Sequence, residues 1–401
     1  MASIEWYWVV IGSALAFAVA WINGANNAAN AIGSAVGAKA LSVRKALWLA
    51  ATFDFLGAII FGKFVSMTLL KGIVDTSTIS SPYIIVVGMT AALFATALWV
   101  VIATLLKVPM SISQAIVGGV TGFGIVVLGM EGVNWAKLFE IIASWIYLPF
   151  MSIAITFILY KTYMYIMRSI TLNRLIIVAT IFLGLTIFTT IFLLNVKTLK
   201  VSDLAYALTT SIVPALVISG VFIVYTKYKI PRDIKQARDH IFKILLVASC
   251  AAMAFSHGAN DVANSAGPLA GILYVYTRGA VPPGQVTIPF NALLLSASGI
   301  ALGILIWGYS VVETIGEKIT TLTIETAFIA QFSASIATLI VTRLGLPVST
   351  TVAIVGAITG VGLARGVKSV NFKTLFKIIS MWFLGFPVVA SITALIVYIL
   401  S

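Results

Sequence analysis

Apolar stretches of about 20 residues follow one another along the whole chain, with little polar sequence between them. A membrane-spanning helix needs a stretch of about that length. Of the 401 residues, 61% are hydrophobic and 9% are charged, whereas soluble domains average about 45–50% apolar and about 25% charged. This composition excludes a single soluble domain and a disordered chain, and it predicts a polytopic membrane protein.

The apolar stretches are continuous rather than alternating, which favours helices over the strands of a membrane barrel. Gly and Pro mark the turns between them. The predicted fold class is an all-α polytopic membrane protein with about twelve transmembrane segments, near 6–36, 46–70, 83–106, 109–130, 135–160, 175–195, 204–226, 241–273, 286–311, 322–342, 347–364 and 372–400.

The distribution of Lys and Arg predicts the orientation in the bilayer, because cytoplasmic loops carry the excess. The loop from Lys227 to Lys243 is the most basic, so we place it in the cytoplasm. Counting crossings from there puts both termini outside, for a protein in the plasma (inner) membrane. The net charge of +13 then belongs to cytoplasmic loops, and no nucleic-acid partner is expected.

Two motifs occur twice, in the same order and at nearly the same spacing. The Asn motif, residues 23–30 (NGANNAAN), matches residues 257–264 (HGANDVAN). The Pro-Ser motif, residues 109–118 (PMSISQAIVG), matches residues 347–356 (PVSTTVAIVG). Chance is a poor explanation, so the chain contains an internal repeat.

The number of crossings makes the two copies inverted. The first copy spans five segments and starts outside, two linker segments follow, and the second copy starts inside. We therefore predict a first repeat at 1–160, linker helices and the basic loop at 161–240, and a second repeat at 241–401. Inverted repeats with broken or re-entrant helices are typical of secondary transporters. Whether 109–130 and 347–364 span or re-enter stays open.

The Asn motif places amide groups in an apolar helix. Its polar positions in the two copies are Asn26, Asn27 and Asn30, then Asn260, Asp261 and Asn264. Gly24 and Gly258 favour a helix break, and freed carbonyls with Asn and Asp oxygens suit a hard cation such as Na⁺. The alternative is hydrogen bonding between packed helices.

Several ionisable residues also lie in apolar runs. A charge at the bilayer centre costs about 2.5–3.5 kcal/mol, and the segment of Asp261 holds no Lys or Arg to pair with it, so a bound cation is its simplest partner. Asp54 and Glu325 are candidate ion ligands or gating residues, or carboxylates that reach water at a helix end. His257 replaces Asn23 and has either a structural or a proton-sensing role.

The Pro-Ser motif suits the start of a helix, with Pro109 and Pro347 in the first turn. Free N–H groups and the positive dipole end attract an anion there, and hydroxyls add donors. Two such helix starts could converge on one tetrahedral oxyanion, although ordinary N-capping is the alternative. The candidate ligands are Ser111, Ser113, Gln114, Ser349, Thr350 and Thr351.

Together these motifs resemble the inorganic phosphate transporter (PiT) family, from Asn23 to Gly362 in order. The resemblance implies phosphate uptake coupled to Na⁺ or H⁺ by alternating access, with family acidic positions at Asp54, Asp261 and Glu325. Asn27 stands where the family has Asp, and Gln114 and Val352 stand where many members have His. The missing His residues favour Na⁺ over H⁺.

The hypothesis is a cation-coupled phosphate symporter without a further cofactor. Its phosphate ligands are the six Pro-Ser residues with Asn26 and Asn260. Its ion ligands are Asn23, Asn26, Asn27, Asn30, Asp54, Asp261, Asn264 and Glu325, and Na⁺ itself is held by Asn26, Asn30, Asn260, Asp261 and Asn264. A sulfate or other oxyanion permease, a passive anion channel and a receptor or scaffold are the alternatives. An enzyme is not expected, for want of a nucleophile–base set, and a homodimer is left open.

Overall fold

The computed structural model describes residues 5–64, 73–74, 79, 81–199, 201–282, 286–343 and 349–401. The named elements in these ranges are all helical. Those longer than five residues are α1 (Trp6–Gly37), α2 (Val43–Phe61), α3 (Pro82–Leu105), α4 (Ile112–Leu128), α5 (Trp135–Ile166), α6 (Leu172–Leu193), α7 (Leu204–Lys229), α8 (Ile234–Asp261), α9 (Ala263–Arg278), α10 (Phe290–Trp307), α11 (Ile324–Arg343), α12 (Thr350–Arg365) and α13 (Phe372–Leu400).

Nine helical stretches in the described ranges are long and apolar enough to cross a membrane, with α8 and α9 together forming one of them. Helices α2, α4 and α12 complete the twelve segments that the sequence predicts. Helices α4 and α12 have 17 and 16 residues, so each is about 25 Å long. That is less than the hydrocarbon thickness of about 30 Å, and these two helices are the shortest of the twelve segments.

The prediction of a helix break at Gly24 and Gly258 is wrong. Helix α1 runs unbroken through Gly24, and α8 continues past Gly258 to Asp261. The interruption between α8 and α9 lies at Val262 instead. Both glycines serve close packing: a side chain at Gly24 would overlap the carbonyl oxygen of Ile300, and one at Gly258 would overlap that of Asp54.

These two contacts occupy matching positions in the two halves of the chain. Gly24 brings α1 against α10, and Gly258 brings α8 against α2. Since α1 and α8 carry the two Asn motifs, each Asn helix crosses the second helix of the other half. This exchange of partners is what a pair of structural repeats predicts.

The Pro-Ser helices show the same exchange. Gly118 on α4 packs against the carbonyl of Phe386 on α13, and Gly356 on α12 packs against the carbonyl of Pro149 on α5. Four residues further along, the same contacts recur between Gly122 and Ala390 and between Gly360 and Ile153. Each short helix is therefore held by the long final helix of the other half.

Helices α6 and α7, which the sequence predicts as linkers, pack against each other, and α6 also contacts α8 and α11. The outer surface of α7 is apolar, with Leu216 and Val221 about two-thirds exposed. Such a surface suits lipid rather than water. The two linker helices thus lie at the edge of the bundle, and the two matched halves form its interior.

Replacing Gly122 by Ala should destabilise the protein by about 1–3 kcal/mol, the usual range for overpacking, because the methyl group meets backbone on α13. Gly220→Ala is the matched control: Gly220 lies inside α7 with open space around it, where Ala gains up to about 1 kcal/mol of helix propensity. The measurement is the apparent melting temperature of each variant in detergent micelles. Equal shifts in the two variants would contradict the packing role.

Candidate functional site

The first Asn motif forms a buried row of amides on α1. Asn23, Asn26, Asn27 and Asn30 are all buried, and the Asn27 side-chain amide donates to Asn23 Oδ1 at 2.9 Å. An unpaired amide in an apolar interior costs several kcal/mol, so the partners of this row indicate which parts of the chain it holds in place.

Asn26 binds the segment that joins α3 to α4. Its amide nitrogen donates to the Val108 carbonyl and to Thr104 Oγ1, both at 2.9 Å. Its Oδ1 accepts from the backbone N–H of Met110 at 2.6 Å. Asn26 therefore takes the place of backbone hydrogen bonds over a non-helical stretch inside the protein.

The prediction that Pro109 lies in the first turn of a helix is wrong. Helix α4 begins at Ile112, with Ser111 as its N-cap residue. Asn26 holds the residues on either side of Pro109, and the Pro109 carbonyl accepts from the Trp382 indole at 2.9 Å. These contacts hold Pro109 in the non-helical segment before the helix. Pro347, its counterpart in the second copy, lies outside the described residues.

Thr351 brings the two Pro-Ser motifs and the first Asn motif together. Its hydroxyl oxygen accepts from the Asn30 amide at 2.8 Å. It also lies 3.3 Å from Asn27 Oδ1 and 3.4 Å from the Met110 carbonyl. Thus the start of α12 meets both α1 and the segment before α4 at one buried point.

The second copy repeats the contact across the halves. The Asn264 amide donates to Ser113 Oγ at 3.4 Å, and Asn264 and Ser113 stand at the positions of Asn30 and Thr351 in the other copy. Each Asn motif therefore contacts the Pro-Ser helix of the opposite half. In addition, Asn23 donates to the Asp261 carbonyl at 3.5 Å, so the two Asn motifs are also joined.

The carboxylates Asp54 and Asp261 are joined by His257. Asp54 Oδ2 lies 2.7 Å from His257 Nδ1, and His257 Nε2 lies 3.2 Å from Asp261 Oδ2. Although the segment of Asp261 holds no Lys or Arg, His257 on the same helix reaches its carboxylate, so a bound cation is not the simplest partner that the sequence predicts. The chain runs from the buried Asp54 to the partly exposed Asp261 beside the Asn motifs.

Most of the remaining predicted ligands lie at the starts of the two Pro-Ser helices. Ser111, Gln114 and Thr351 are buried at the starts of α4 and α12, and Thr350 begins α12. Ser349 accepts from the Val352 N–H at 3.4 Å, so this residue caps its helix, which is the alternative to anion binding given above. Ser111 makes no side-chain cap bond.

Two other predicted ligands make contacts elsewhere. Glu325 lies in the first turn of α11 and pairs with Arg238 at 3.4 Å, so the structure does not bring it to the Asn motifs. The Asn260 amide donates to the Ser256 carbonyl at 2.6 Å on its own helix. The assignment of Glu325 as an ion ligand stays a prediction.

Comparison with known families agrees with this arrangement. Residues 23–393 match the phosphate transporter family. The chain belongs to this family. It is a multi-pass membrane transporter rather than an enzyme, and the match begins at the first residue of the first Asn motif.

Relatives of this transporter align over nearly its whole length. A protein of Pyrococcus abyssi named as a phosphate permease is 38% identical over 98% of both chains. The chloroplastic inorganic phosphate transporter 2-1 of Arabidopsis thaliana is 32% identical over 96% of this chain and 71% of its own. A solved structure titled the sodium-dependent phosphate transporter is 39% identical over 98% and 99% of the two chains, with a TM-score of 0.90.

The sequence-based assignment of the transporter's site missed Gln331 on α11. Its amide nitrogen donates to the Ala31 carbonyl at 2.8 Å and to Ser34 Oγ at 2.9 Å. Among the described residues its Oε1 has no hydrogen-bond partner, and the same holds for Asn30 Oδ1 and Gln114 Oε1. A lone Gln in the apolar run 322–342 was the available signal, but nothing in the sequence placed it next to α1.

Thr351→Val should strip the Asn30 amide of its partner at constant side-chain shape, at a cost of about 1–3 kcal/mol. We expect a lower melting temperature and a phosphate KM about tenfold higher in reconstituted liposomes. Thr359→Val on the same helix is the control, because the one bond of the buried Thr359 hydroxyl to a described residue goes to the Val355 carbonyl within α12. Uptake that falls equally in both variants would argue against a special role for Thr351.

Proposed function

We propose that this member of the phosphate transporter family is a Na⁺-coupled phosphate symporter that works by alternating access. The observation that carries the proposal is the crossed pair of contacts, Asn30 to Thr351 and Asn264 to Ser113. Through it, groups suited to a cation and helix starts suited to an anion share one buried region. Oppositely charged ions bound side by side lower the cost of bringing both into a medium of low dielectric constant.

The phosphate site in this proposal lies at the starts of α4 and α12. Unsatisfied N–H groups and the positive dipole end favour an anion at a helix start. The hydroxyls and amide of the Pro-Ser motifs supply further donors, from Ser111, Ser113, Gln114, Ser349, Thr350 and Thr351, with Asn260 alongside. Asn26 supports the site rather than binding phosphate, because its oxygen and nitrogen are both engaged.

The cation ligands in this proposal are oxygen atoms near the joined Asn motifs. Asp261 supplies the charge, and Asn23, Asn27, Asn30 and Asn264 supply amide oxygens; hard cations prefer such ligands. Support for Na⁺ comes from the similar solved structure, whose title names a sodium-dependent phosphate transporter. Glu325 is left out because it pairs with Arg238.

Proton coupling is the second candidate, and one observation favours it. The Asp54–His257–Asp261 chain is built from groups that exchange protons, and it ends beside the Asn motifs. In that version the His and the two carboxylates carry the coupling ion, and the phosphate site is unchanged.

The alternating-access proposal assigns 1–160 and 241–401 to two inverted repeats, with 161–240 as linker and basic loop. The matched glycine contacts support the repeats. The basic loop 227–243 is then cytoplasmic, both termini are outside, and the protein lies in the plasma membrane.

Radiolabelled phosphate uptake into liposomes containing the purified protein tests the coupling. An inward Na⁺ gradient alone should drive accumulation above equilibrium, and an inward H⁺ gradient alone should not. The reverse result would replace Na⁺ by H⁺ in the proposal. Equilibration without accumulation under both gradients would leave a passive channel, which is contrary to symport.

Asp261→Asn should lower Na⁺-driven accumulation at least about tenfold, since a ligand that carries charge contributes about 1.5–3 kcal/mol. Asp239→Asn is the matched control: it is the same chemical change in the same helix, at an exposed position. Wild-type accumulation by Asp261→Asn would remove Asp261 from the cation site.

A further inference from the structure

A basic pocket lies where α5 turns into α6, away from the Asn and Pro-Ser motifs. Its volume is about 540 Å³, and Arg168 and Arg174 line it together with Ser169. The other lining residues are apolar or aromatic, among them Tyr165, Ile166 and Ile177. The pocket therefore combines two guanidinium groups with a hydrocarbon wall.

In the part of the chain that the structure describes, the two guanidinium groups have no negative partner. Among the described residues neither Arg168 nor Arg174 takes part in an ion pair. The sequence also contains no Asp or Glu between Glu140 and Asp203. Arg side chains bind phosphate groups in a bidentate manner. The chemistry of the pocket therefore suits a phosphate group.

The position of the pocket sets its depth in the bilayer. It lies between the end of the span Trp135–Ser169 and the start of the span Leu172–Val196. Tyr165 is 77% exposed and Ile177 is 59% exposed. Exposed Tyr is typical of the boundary between hydrocarbon and water, so the Arg residues reach the depth of lipid headgroups.

The inner wall of the pocket adjoins a cavity that is too small for an acyl chain. Behind Ile166 and Val178 lies a cavity of about 30 Å³ lined by aromatic residues, including Phe182 and Phe328. That volume holds no more than about one or two water molecules, so an acyl chain does not enter it. A chain bound here has to lie along the outer surface formed by Ile166 and Ile177.

We propose that this pocket binds an anionic phospholipid, with its phosphate between Arg168 and Arg174 and an acyl chain along Ile166 and Ile177. Basic pockets between membrane helices at the cytoplasmic side bind such headgroups. A bound lipid would join the last helix of the first repeat to the first linker helix. The proposal is independent of which ion drives phosphate transport.

Native mass spectrometry of the delipidated full-length protein tests the proposal. The protein is titrated in detergent with dioleoyl phosphatidylglycerol and, separately, with dioleoyl phosphatidylcholine. We expect one phosphatidylglycerol to bind more tightly than any further copy and than phosphatidylcholine. Arg168→Gln/Arg174→Gln should weaken that first binding about 30-fold, the effect of two basic residues near an anionic headgroup.

Lys227→Gln/Lys229→Gln is the matched control, because it removes two positive charges from the last turn of α7, outside the pocket. Its first phosphatidylglycerol should bind within about threefold of wild type; an equal loss in both double variants would reduce the effect to general surface charge and overturn the proposal. Wild-type binding by Arg168→Gln/Arg174→Gln would do the same.

Inorganic phosphate distinguishes a lipid from the free ion. Millimolar phosphate should not displace the bound phosphatidylglycerol, because the ion gains nothing from the hydrocarbon wall, and Ile177→Asn should weaken lipid binding. Displacement by phosphate together with unchanged binding in Ile177→Asn would assign the pocket to the free ion instead. Melting temperatures of all variants, measured without lipid, show whether each variant is folded.

Discussion

The hydrogen bonds that Asn26 makes to Val108 and Met110 are the contacts on which the site depends. Inside a membrane protein, non-helical backbone is tolerated only where other protein groups satisfy it. Here Asn26 donates to the Val108 carbonyl and accepts from the Met110 N–H. Trp382 donates to the Pro109 carbonyl, and Thr351 donates to the Met110 carbonyl. Because these side chains form hydrogen bonds with the backbone of three consecutive residues, α4 can begin in the protein interior and present its free N–H groups there.

The second constraint is that neither half of the chain completes its own packing or its own site. Glycines on α1, α4, α8 and α12 admit the backbone of helices from the other half. The Asn30–Thr351 and Asn264–Ser113 contacts cross the halves in the same way. A displacement of one half against the other therefore alters packing and site together, which is the mechanical link that the proposed alternating access requires.

The buried charges are arranged by the same exchange. Asp54 belongs to the first half, whereas His257 and Asp261 belong to the second, and the His bridges the two carboxylates. A buried carboxylate without a partner is costly, so this bridge makes the position of α2 against α8 depend on a polar contact as well as on the Gly258 packing. The Glu325 carboxylate has a different partner: it pairs with Arg238 on a partly exposed surface.

Membrane helices, the internal repeat and the two motifs could all be predicted from the sequence. Apolar runs, turn residues and repeated strings are properties of neighbouring residues, and they specify helix number and candidate ligands such as Asn30, Ser113 and Asp261. The partners of those residues could not be predicted, because Thr351 and Asn30, or Gln331 and Ala31, lie about 300 positions apart. The unbroken course of α1 through Gly24, the position of Pro109 before the helix and the pairing of Glu325 likewise depend on which helices pass close to one another. That proximity arises only when the two halves pack together.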